Sequence, residues 1–364
     1  LTVPAGENRT ATLSARIPDN AMGSTQDNIT VTATSREDSI SDSAVCAAKL
    51  LVSLGVDVSI SPDNRAGVPC TWLEYTVTLT NTGNVDDTYN LSWADTQGWS
   101  DIWLEDNSLS AARCGGQNST TLHVHIPLGA EGNTWNDITV TATSQENASI
   151  KDNDTCRANV NIARSVDVTI SPAEDSGLPG ESLSYIVTVK NTGNVPDNYR
   201  LENVDTLGWP LSLGRSLIEV QEGENQTTTL TVNIPGDARG CTRDNITVRA
   251  TSQADNGVSD SASCTAHAEN VYGVGVSILP NYQSGPPGST LTYSVVVKNV
   301  GNVQDSYTLI ATDNAGWLGP WTQELIDVPP GENRTKPLSV TIPDIAVPCT
   351  RDNIVVRATS HADN

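Results

Sequence analysis

The strongest constraint in this 364-residue chain is a phrase that occurs three times, as NTGNVDDTYNL, NTGNVPDNYRL and NVGNVQDSYTL, starting at residues 81, 191 and 299. Other segments keep nearly the same interval, such as VDVSISP, VDVTISP and VGVSILP from residues 56, 166 and 274. A solenoid unit of about 20 to 50 residues cannot bury a core alone, whereas a unit of about 110 residues can. The repeat therefore predicts a series of independently folded domains.

The phase of the repeat sets the predicted domain boundaries. PAGENRTATLSARIP from Pro4 corresponds to PPGENRTKPLSVTIP from Pro329, so the opening residues match only the last part of a unit. We predict the C-terminal part of a repeat in residues 1–50, repeats in 51–160 and 161–270, and in 271–364 a repeat lacking its last strand. We expect a window into a longer repetitive protein, in which neither a signal peptide nor a membrane span is found.

Within a unit, apolar residues alternate with polar ones, as at Leu183, Tyr185, Val187 and Val189. A period of two is typical of a half-buried strand, and no stretch has a useful helical period. Each unit contains about seven such segments separated by Gly, Pro, Asn and Asp, which is the pattern of a β-sandwich. The predicted fold is all-β, with tandem immunoglobulin-like antiparallel β-sandwiches arranged as beads on a string.

Two short motifs are expected to form turns. Asn-Thr-Gly-Asn should end a strand and supply, through its glycine, a residue tolerant of positive φ. The Gly-Trp pairs at residues 98, 208 and 316 should also form turns, with the indole filling a core that contains no Phe. Carbohydrate stacking by these tryptophans is the alternative.

The run GxxLxYxVTVxNTGNxxDxYxL, then GW, then PxGENxTxTLxVxIP, resembles the tandem β-sandwich repeats of archaeal and bacterial surface proteins. It is similar to the CARDB type, the cell adhesion related domain found in bacteria, and to the NEW-type domain attached to some α-galactosidases. The resemblance covers essentially the whole chain. It implies spacer, stalk, adhesive or filament-forming roles, an extracellular or cell-surface location, and no catalytic residues.

The charge of the chain argues against nucleic acid as a partner. Its 43 acidic and 20 basic residues give a formal charge of −23, the wrong sign for binding phosphate. A solvated, self-repelling surface is one interpretation, and no cofactor is then expected. Calcium held by carboxylates such as Asp86, Asp87 or Asp197 is the other, although no EF-hand spacing supports it.

Asn-x-Ser/Thr triplets predict N-glycosylation on a subset of asparagines, although some triplets must be chance matches in a chain rich in these residues. They begin at Asn8, Asn28, Asn90, Asn118, Asn147, Asn153, Asn225, Asn245 and Asn333. The acceptors that we predict first fall at strand edges or outward positions: Asn118, Asn225, Asn245 and Asn333.

The seven cysteines indicate an oxidising environment. Three disulfides are predicted from the repeat frame and the expected strand order: Cys241 to Cys264, Cys70 to Cys156, and Cys46 to Cys114 as a bridge between successive repeats. Cys349 occupies the Cys241 position of the final unit, without a partner in the chain. Zinc is the rival explanation, but there is no Cys-x-x-Cys pair to support it.

No combination of residues indicates catalysis, so we do not expect an enzyme. His123 and His125 should share the outer face of a strand, where an isolated His-x-His is usually not a metal site.

Two functions remain open. The first is a structural extracellular protein that self-associates into a surface layer, stalk or filament, stabilised by disulfides and glycans. The second is an adhesin or a carbohydrate-binding accessory region of a secreted protein. For the second, the divergent 51–160 repeat, with its extra tryptophans, is where a partner surface is expected.

Overall fold

A computed structural model describes residues 1–363, which form 26 β-strands and no α-helix. The all-β prediction is confirmed. Residues 1–363 include no helix with the length and apolar character needed to cross a membrane. Contacts divide the chain into two compact units, residues 1–163 and residues 164 onward.

The first unit contains a two-stranded hairpin followed by a two-sheet sandwich. Its strands are β1 (Gln26–Thr34), β2 (Ser41–Lys49), β3 (Val56–Ser61), β4 (Asn64–Gly67), β5 (Trp72–Asn81), β6 (Asp87–Asp95), β7 (Ile102–Leu104), β8 (Ser108–Ala111), β9 (Gly116–His125), β10 (Trp135–Ser144) and β11 (Lys151–Val160). The hairpin is β1-β2, and the sandwich packs the sheet β3-β5-β9-β7 against the sheet β4-β11-β10-β6-β8.

The second unit contains two further two-sheet sandwiches, of which the second has fewer strands. Its strands are β12 (Val166–Ser171), β13 (Glu174–Gly177), β14 (Ser182–Asn191), β15 (Asp197–Asp205), β16 (Leu211–Leu213), β17 (Leu217–Val220), β18 (Asn225–Asn233), β19 (Arg243–Ser252), β20 (Ser259–Ala268), β21 (Val274–Leu279), β22 (Thr290–Asn299), β23 (Asp305–Asp313), β24 (Trp321–Val328), β25 (Asn333–Thr341) and β26 (Ile354–Ser360). The sheets are β12-β14-β18-β16 with β13-β20-β19-β15-β17, then β21-β22-β25 with β24-β23-β26.

Alternating apolar residues produce these strands because successive side chains point to opposite faces, so one face of each sheet enters the core. The predicted series Leu183, Tyr185, Val187 and Val189 is buried as expected. Strand neighbours run antiparallel except for β4 with β11 and β13 with β20, which are parallel. The described residues contain three hydrophobic cores, formed within residues 58–160, 168–268 and 274–358.

Residues 1–50 form only the β1-β2 hairpin, and most of their side chains are exposed. The segment from Pro4 corresponds to the region of β25, yet it forms no strand. β25 pairs with β22, and residues 1–50 have no equivalent of β22. A strand pattern without a partner strand leaves the backbone hydrogen bonds unmade, so the segment stays irregular.

The Gly-Trp turns match their prediction. Gly98 has a φ of 71°, and Gly208 and Gly316 have a φ of 75°. Trp209 is buried, while Trp99 and Trp317 pack against the cores of their repeats.

In the repeats 51–160 and 161–270, a buried polar residue of the neighbouring strand anchors the Gly-Trp turn. In the 51–160 repeat, Asn136 Oδ1 accepts the backbone N–H groups of Thr96 and Gln97, while its Nδ2 donates to Asp95 Oδ2 at 2.8 Å. The next repeat has Asp244 in this place, and its buried Oδ2 has no hydrogen-bond partner. An aspartate cannot donate as Asn136 does, so this turn is held by fewer bonds.

Exchanging the two residue types should therefore change stability in opposite directions. Asp244→Asn lets the new amide donate to Asp205, which occupies the place of Asp95, and should stabilise the repeat by about 1 kcal/mol. Asn136→Asp should destabilise its repeat by about 1 to 3 kcal/mol, because it places a second carboxylate beside Asp95. Hydrogen exchange of amides in β19 and β10, read by mass spectrometry, measures each effect locally.

In the final repeat Asp352 takes this place and accepts the backbone N–H groups of Asn314 and Ala315, so Asp352→Asn tests the same exchange with a pH dependence. Burial, with Asp313 nearby, raises the pKa of Asp352 above its ordinary 3.8. A raised carboxyl pKa costs stability only once the group ionises. The stability that Asp352→Asn gains over the wild type should therefore be absent below pH 3.8 and should develop as the pH rises. Equal exchange rates in wild type and all three variants would contradict this account of the turn.

Candidate functional site at the repeat junctions

The first asparagine of the repeated phrase fixes the turn from inside. The buried Asn81 donates from Nδ2 to the carbonyls of Val85 and Ala111, at 2.8 and 3.0 Å, and accepts the Gly83 N–H on Oδ1 at 2.8 Å. Asn191 and Asn299 make the same three bonds in their repeats. The side chain thus satisfies three backbone groups at once, which explains why the residue type recurs.

The fourth residue of the phrase binds the chain that precedes the repeat. Asn84 Oδ1 accepts the Ser53 N–H, and its Nδ2 donates to the Leu51 carbonyl, both at 2.9 Å. Its backbone N–H donates to the Ser53 carbonyl, and its carbonyl accepts the Gly23 N–H at 2.8 Å. Asn84 therefore ties the 51–160 repeat to the linker and to the turn before β1.

Asn302 makes the equivalent junction inside the second unit. Its Oδ1 accepts the Val271 N–H at 2.7 Å, and its Nδ2 donates to the Glu269 and Ala238 carbonyls, at 2.9 and 3.2 Å. Its carbonyl accepts the Gly240 N–H at 2.9 Å. The contact thus reaches both the linker and a turn of the preceding repeat.

The glycine of the phrase serves close approach rather than positive φ, which corrects the prediction. Neither Gly83 nor Gly301 has a left-handed φ. A Cβ on Gly83 would lie 2.6 Å from the Ser53 carbonyl oxygen, and one on Gly301 would lie closer still to that of Val271. Any side chain here would push the linker away from the repeat.

The aspartate of the phrase binds a serine at the end of a neighbouring strand. Ser144 donates its hydroxyl to the buried Asp87 at 2.5 Å. The same bond joins Ser252 to Asp197 and Ser360 to Asp305, both at 2.6 Å.

These internal bonds bear on the calcium candidates. Asp87 and Asp197 accept serine hydroxyls, Asp197 lies 3.1 Å from the Arg164 guanidinium, and Asp86 lies 3.4 Å from that of Arg113. Within residues 1–363, no group of three or more His, Cys, Asp or Glu side chains is placed to hold a metal ion. The serine bonds give Asp87 and Asp197 a structural role, and calcium binding stays an untested alternative.

The tyrosine of the phrase links the core to the start of the repeat. Tyr89 donates its hydroxyl to the Gly55 carbonyl at 2.9 Å, and burial raises its pKa to about 12. Tyr199 and Tyr307 donate to Ser165 and Gly273 in the same way, both at 3.1 Å. The first asparagine, the aspartate and the tyrosine of the phrase therefore have a partner outside the turn in all three copies.

The cysteines are free thiols in the structure, and none of the three predicted disulfides is formed among the described residues. Cys241 donates its N–H to the Ala268 carbonyl, whereas Cys264 lies four residues earlier on the same strand. That separation is about 13 Å along a strand, well beyond the roughly 7 Å limit for Cα atoms in a disulfide.

Cys70 and Cys156 are separated in a similar manner. Cys156 lies four residues before Val160, which pairs with Gly67 near Cys70. Cys46 has its Sγ 3.7 Å from the Ile29 carbonyl, while Cys114 bonds through its N–H to Gly83. Cys70, Cys114, Cys241 and Cys349 all have positive φ, between 60° and 67°. The Cys241 to Cys264 and Cys70 to Cys156 bridges would require these strands or turns to shift, and the Cys46 to Cys114 bridge stays a prediction.

The nine asparagines of the glycosylation triplets are all exposed. Asn245 points to solvent while the adjacent Ile246 is fully buried, as the strand alternation predicted. The fold is thus compatible with modification at each of the nine, and glycosylation itself stays a prediction.

His123 and His125 lie on the outer face of β9, alternating with buried Leu122 and Val124 as predicted. The sequence did not reveal their neighbours. Trp103 stacks on His123 with ring centroids 4.1 Å apart, and Trp72 lies 4.7 Å from His125. The strand alternation of Trp72 could have placed it on this face, but pairing with the histidines depends on the register between strands.

Comparison with known proteins yields structural likeness alone. No protein-family model matches the chain, and no curated protein matches it. Extracellular cadherin domains 1–5 of protocadherin gamma B2 share 12% identity and a TM-score of 0.42, covering 88% of this chain and 67% of that one.

The protocadherin gamma B4 extracellular domain shares 14% identity and a TM-score of 0.41, covering 87% of this chain and 55% of that one. The D0-D1 domain of intimin shares 17% identity and a TM-score of 0.21, covering 60% and 99%. Values this low support no conclusion about function. The resemblance to the CARDB and NEW types is not confirmed by them.

Replacing the junction asparagines should loosen the linkers without unfolding the repeats. In Asn84→Ala, the Ser53 amide loses its acceptor and should exchange at least about tenfold faster, as expected for loss of about 1 to 3 kcal/mol. Asn302→Ala should do the same at Val271. Hydrogen exchange by NMR or mass spectrometry measures both.

Asn81→Ala is the matched control, because it removes three bonds inside the repeat instead of the bonds to the linker. It should accelerate exchange throughout β5 and β6. If Asn84→Ala destabilised the whole repeat to the same extent, the fourth residue would be a folding residue and not a junction residue.

The reactivity of each thiol toward iodoacetamide should depend on whether the thiol is buried. Iodoacetamide should modify the exposed Cys46, Cys70, Cys114, Cys241 and Cys349 in the native protein. Cys156 and Cys264 should react only after unfolding, because they are buried and burial raises their pKa to about 12 and about 11. Non-reducing peptide mapping checks this, and recovery of a Cys70 to Cys156 peptide would restore the predicted bridge.

Proposed function

We propose that the chain is a segment of a structural protein outside the cell, in which successive β-sandwiches provide length and form a stalk, surface layer or filament. The observation that carries the proposal is the junction contact of Asn84 and Asn302. Each binds both the linker and a turn of the preceding segment through side chain and backbone. A freely flexing linker would need no such contacts.

The strength of each junction follows from its hydrogen bonds. Four or five bonds meet at each asparagine, and each contributes about 1 kcal/mol net. That sum far exceeds thermal energy, so each linker should stay docked most of the time. Spacing set by docked linkers is what a load-carrying stalk or lattice requires, while a mobile binder gains nothing from it.

The surface chemistry supports a location outside the cell. A formal charge of −23 keeps such a chain soluble and self-repelling, and it disfavours nucleic acid as a partner. N-glycans on a subset of the nine exposed asparagines belong to the proposal. The peptide map used for the thiols also reads these sites, and nine unmodified asparagines in native material would remove this part.

An enzymatic role has no support in the arrangement of side chains. The buried polar side chains of the phrase bond backbone groups or a serine hydroxyl at the end of a neighbouring strand, which are structural contacts. We therefore do not propose catalysis.

Electron microscopy of native material tests the proposal. We expect rods of regular width, joined into fibres or a lattice, because docked linkers hold successive repeats at fixed spacing. A chain carrying Asn84→Ala together with Asn302→Ala should give bent, irregular rods at the same protein concentration. Isolated flexible chains in the wild-type sample would refute both the filament and the stiff stalk.

A further inference from the structure

One face of the 51–160 repeat differs in chemistry from the same face of the next repeat. It consists of the outward side chains of β5, β9 and β7, which lie side by side in that order. Trp72 pairs with His125, Glu74 pairs with His123, and Trp103 pairs with His123 from the other side. We call this set, with Asp101 and Glu105, the aromatic face.

The next repeat shows that the fold does not need these residues. Its equivalent pairs are Ser182 with Asn233, Ser184 with Thr231, and Ser212 with Thr231. Those small polar residues make the same ladder over the buried Leu183, Leu230 and Val232. Leu211 and Leu213 of β16 are less buried than Ile102 and Leu104 of β7, but the sandwich forms without tryptophans on this face.

The side chains of this face are held in place. His123 Nε2 lies 3.0 Å from Glu105 and its Nδ1 lies 3.6 Å from Glu74, with the Trp103 ring stacked at 14°. The His123 bond lowers the pKa of Glu105. Such fixed rotamers reduce the entropy that a ligand must overcome on binding.

The tryptophans nevertheless remain half open to solvent. Trp72 is 51% exposed and Trp103 is 46% exposed. Stacking on His123 covers one side of the Trp103 ring, while the Trp72 ring is tilted by 35° against His125. The open surface of both rings is large for residues that normally contribute to a core or an interface. The strand spacing places their Cα atoms about 12 Å apart.

From this arrangement we propose that the aromatic face binds a saccharide chain, of more than one sugar ring. Indole surfaces stack on the apolar face of a pyranose ring, while its hydroxyl edge needs both donors and acceptors. The imidazoles donate, and the carboxylates of Glu74, Glu105 and Asp101, each at least half exposed, accept. The role is additional to the structural one and does not depend on filament formation.

A cationic peptide is the competing ligand class, since tryptophan and carboxylate also bind lysine or arginine. The three carboxylates, however, already face histidines at 3.0 to 3.6 Å, so their capacity for a further cation is reduced. Sugar hydroxyls are neutral, so they can bond these carboxylates without requiring a free negative charge. The balance of donors and acceptors therefore favours the saccharide.

Affinity electrophoresis and tryptophan fluorescence of the full chain test the proposal. The probes are hydroxyethyl cellulose, laminarin, xylan, mannan and chitohexaose, with hexalysine as the cationic probe. We expect at least one saccharide to retard the wild-type chain and to change its fluorescence. Trp72→Ser and Trp103→Ser, which copy Ser182 and Ser212, should each weaken that binding about tenfold or more.

Trp135→Ser is the matched control, because Trp135 is 47% exposed but lies on β10 of the other sheet, with the Arg157 guanidinium 4.8 Å from its ring centroid. It should bind as the wild type does. Circular dichroism should show all three variants folded. The proposal fails if no saccharide binds, if hexalysine alone binds, or if Trp135→Ser loses as much affinity as the other two.

Discussion

A buried amide side chain that bonds three backbone groups underlies the architecture of each repeat. Where a strand ends inside a sandwich, its neighbours have N–H and C=O groups that no ladder satisfies. Asn81, Asn191 and Asn299 supply two donors and one acceptor there. With the turn fixed, the next asparagine is presented outward at a constant position, where Asn84 and Asn302 meet the preceding linker.

The repeats combine this constant frame with variable faces. Apart from the aspartate, which bonds a serine hydroxyl, the polar residues of the phrase bond backbone atoms, so they tolerate sequence change in the segments they contact. Outward strand positions bond little else, which leaves them free to diverge from Ser and Thr in one repeat to Trp, His and Glu in another. One scaffold can thus combine a spacer role with a distinct surface on a single unit.

The sequence predicted much of the fold because strand alternation is local and is repeated three times. The series at Leu183 to Val189, the outward His123 and His125, and the left-handed glycine of each Gly-Trp turn were readable without coordinates. The contacts of the candidate site could not be predicted from the sequence in the same way. The phrase was expected to reverse the chain, but its bonds to residues about 30 positions earlier leave no local pattern.

By itself, the sequence determined the repeat length, the all-β class and the positions of the turns, since these depend on neighbours in the chain. Only the tertiary structure decided which distant residues the phrase, the cysteines and the tryptophans contact. It showed that Gly83 allows a carbonyl to approach, that Cys241 faces Ala268 and not Cys264, and that Trp103 stacks on His123. Each depends on strand register, and a shift of a few residues moves side chains by more than a bond can span.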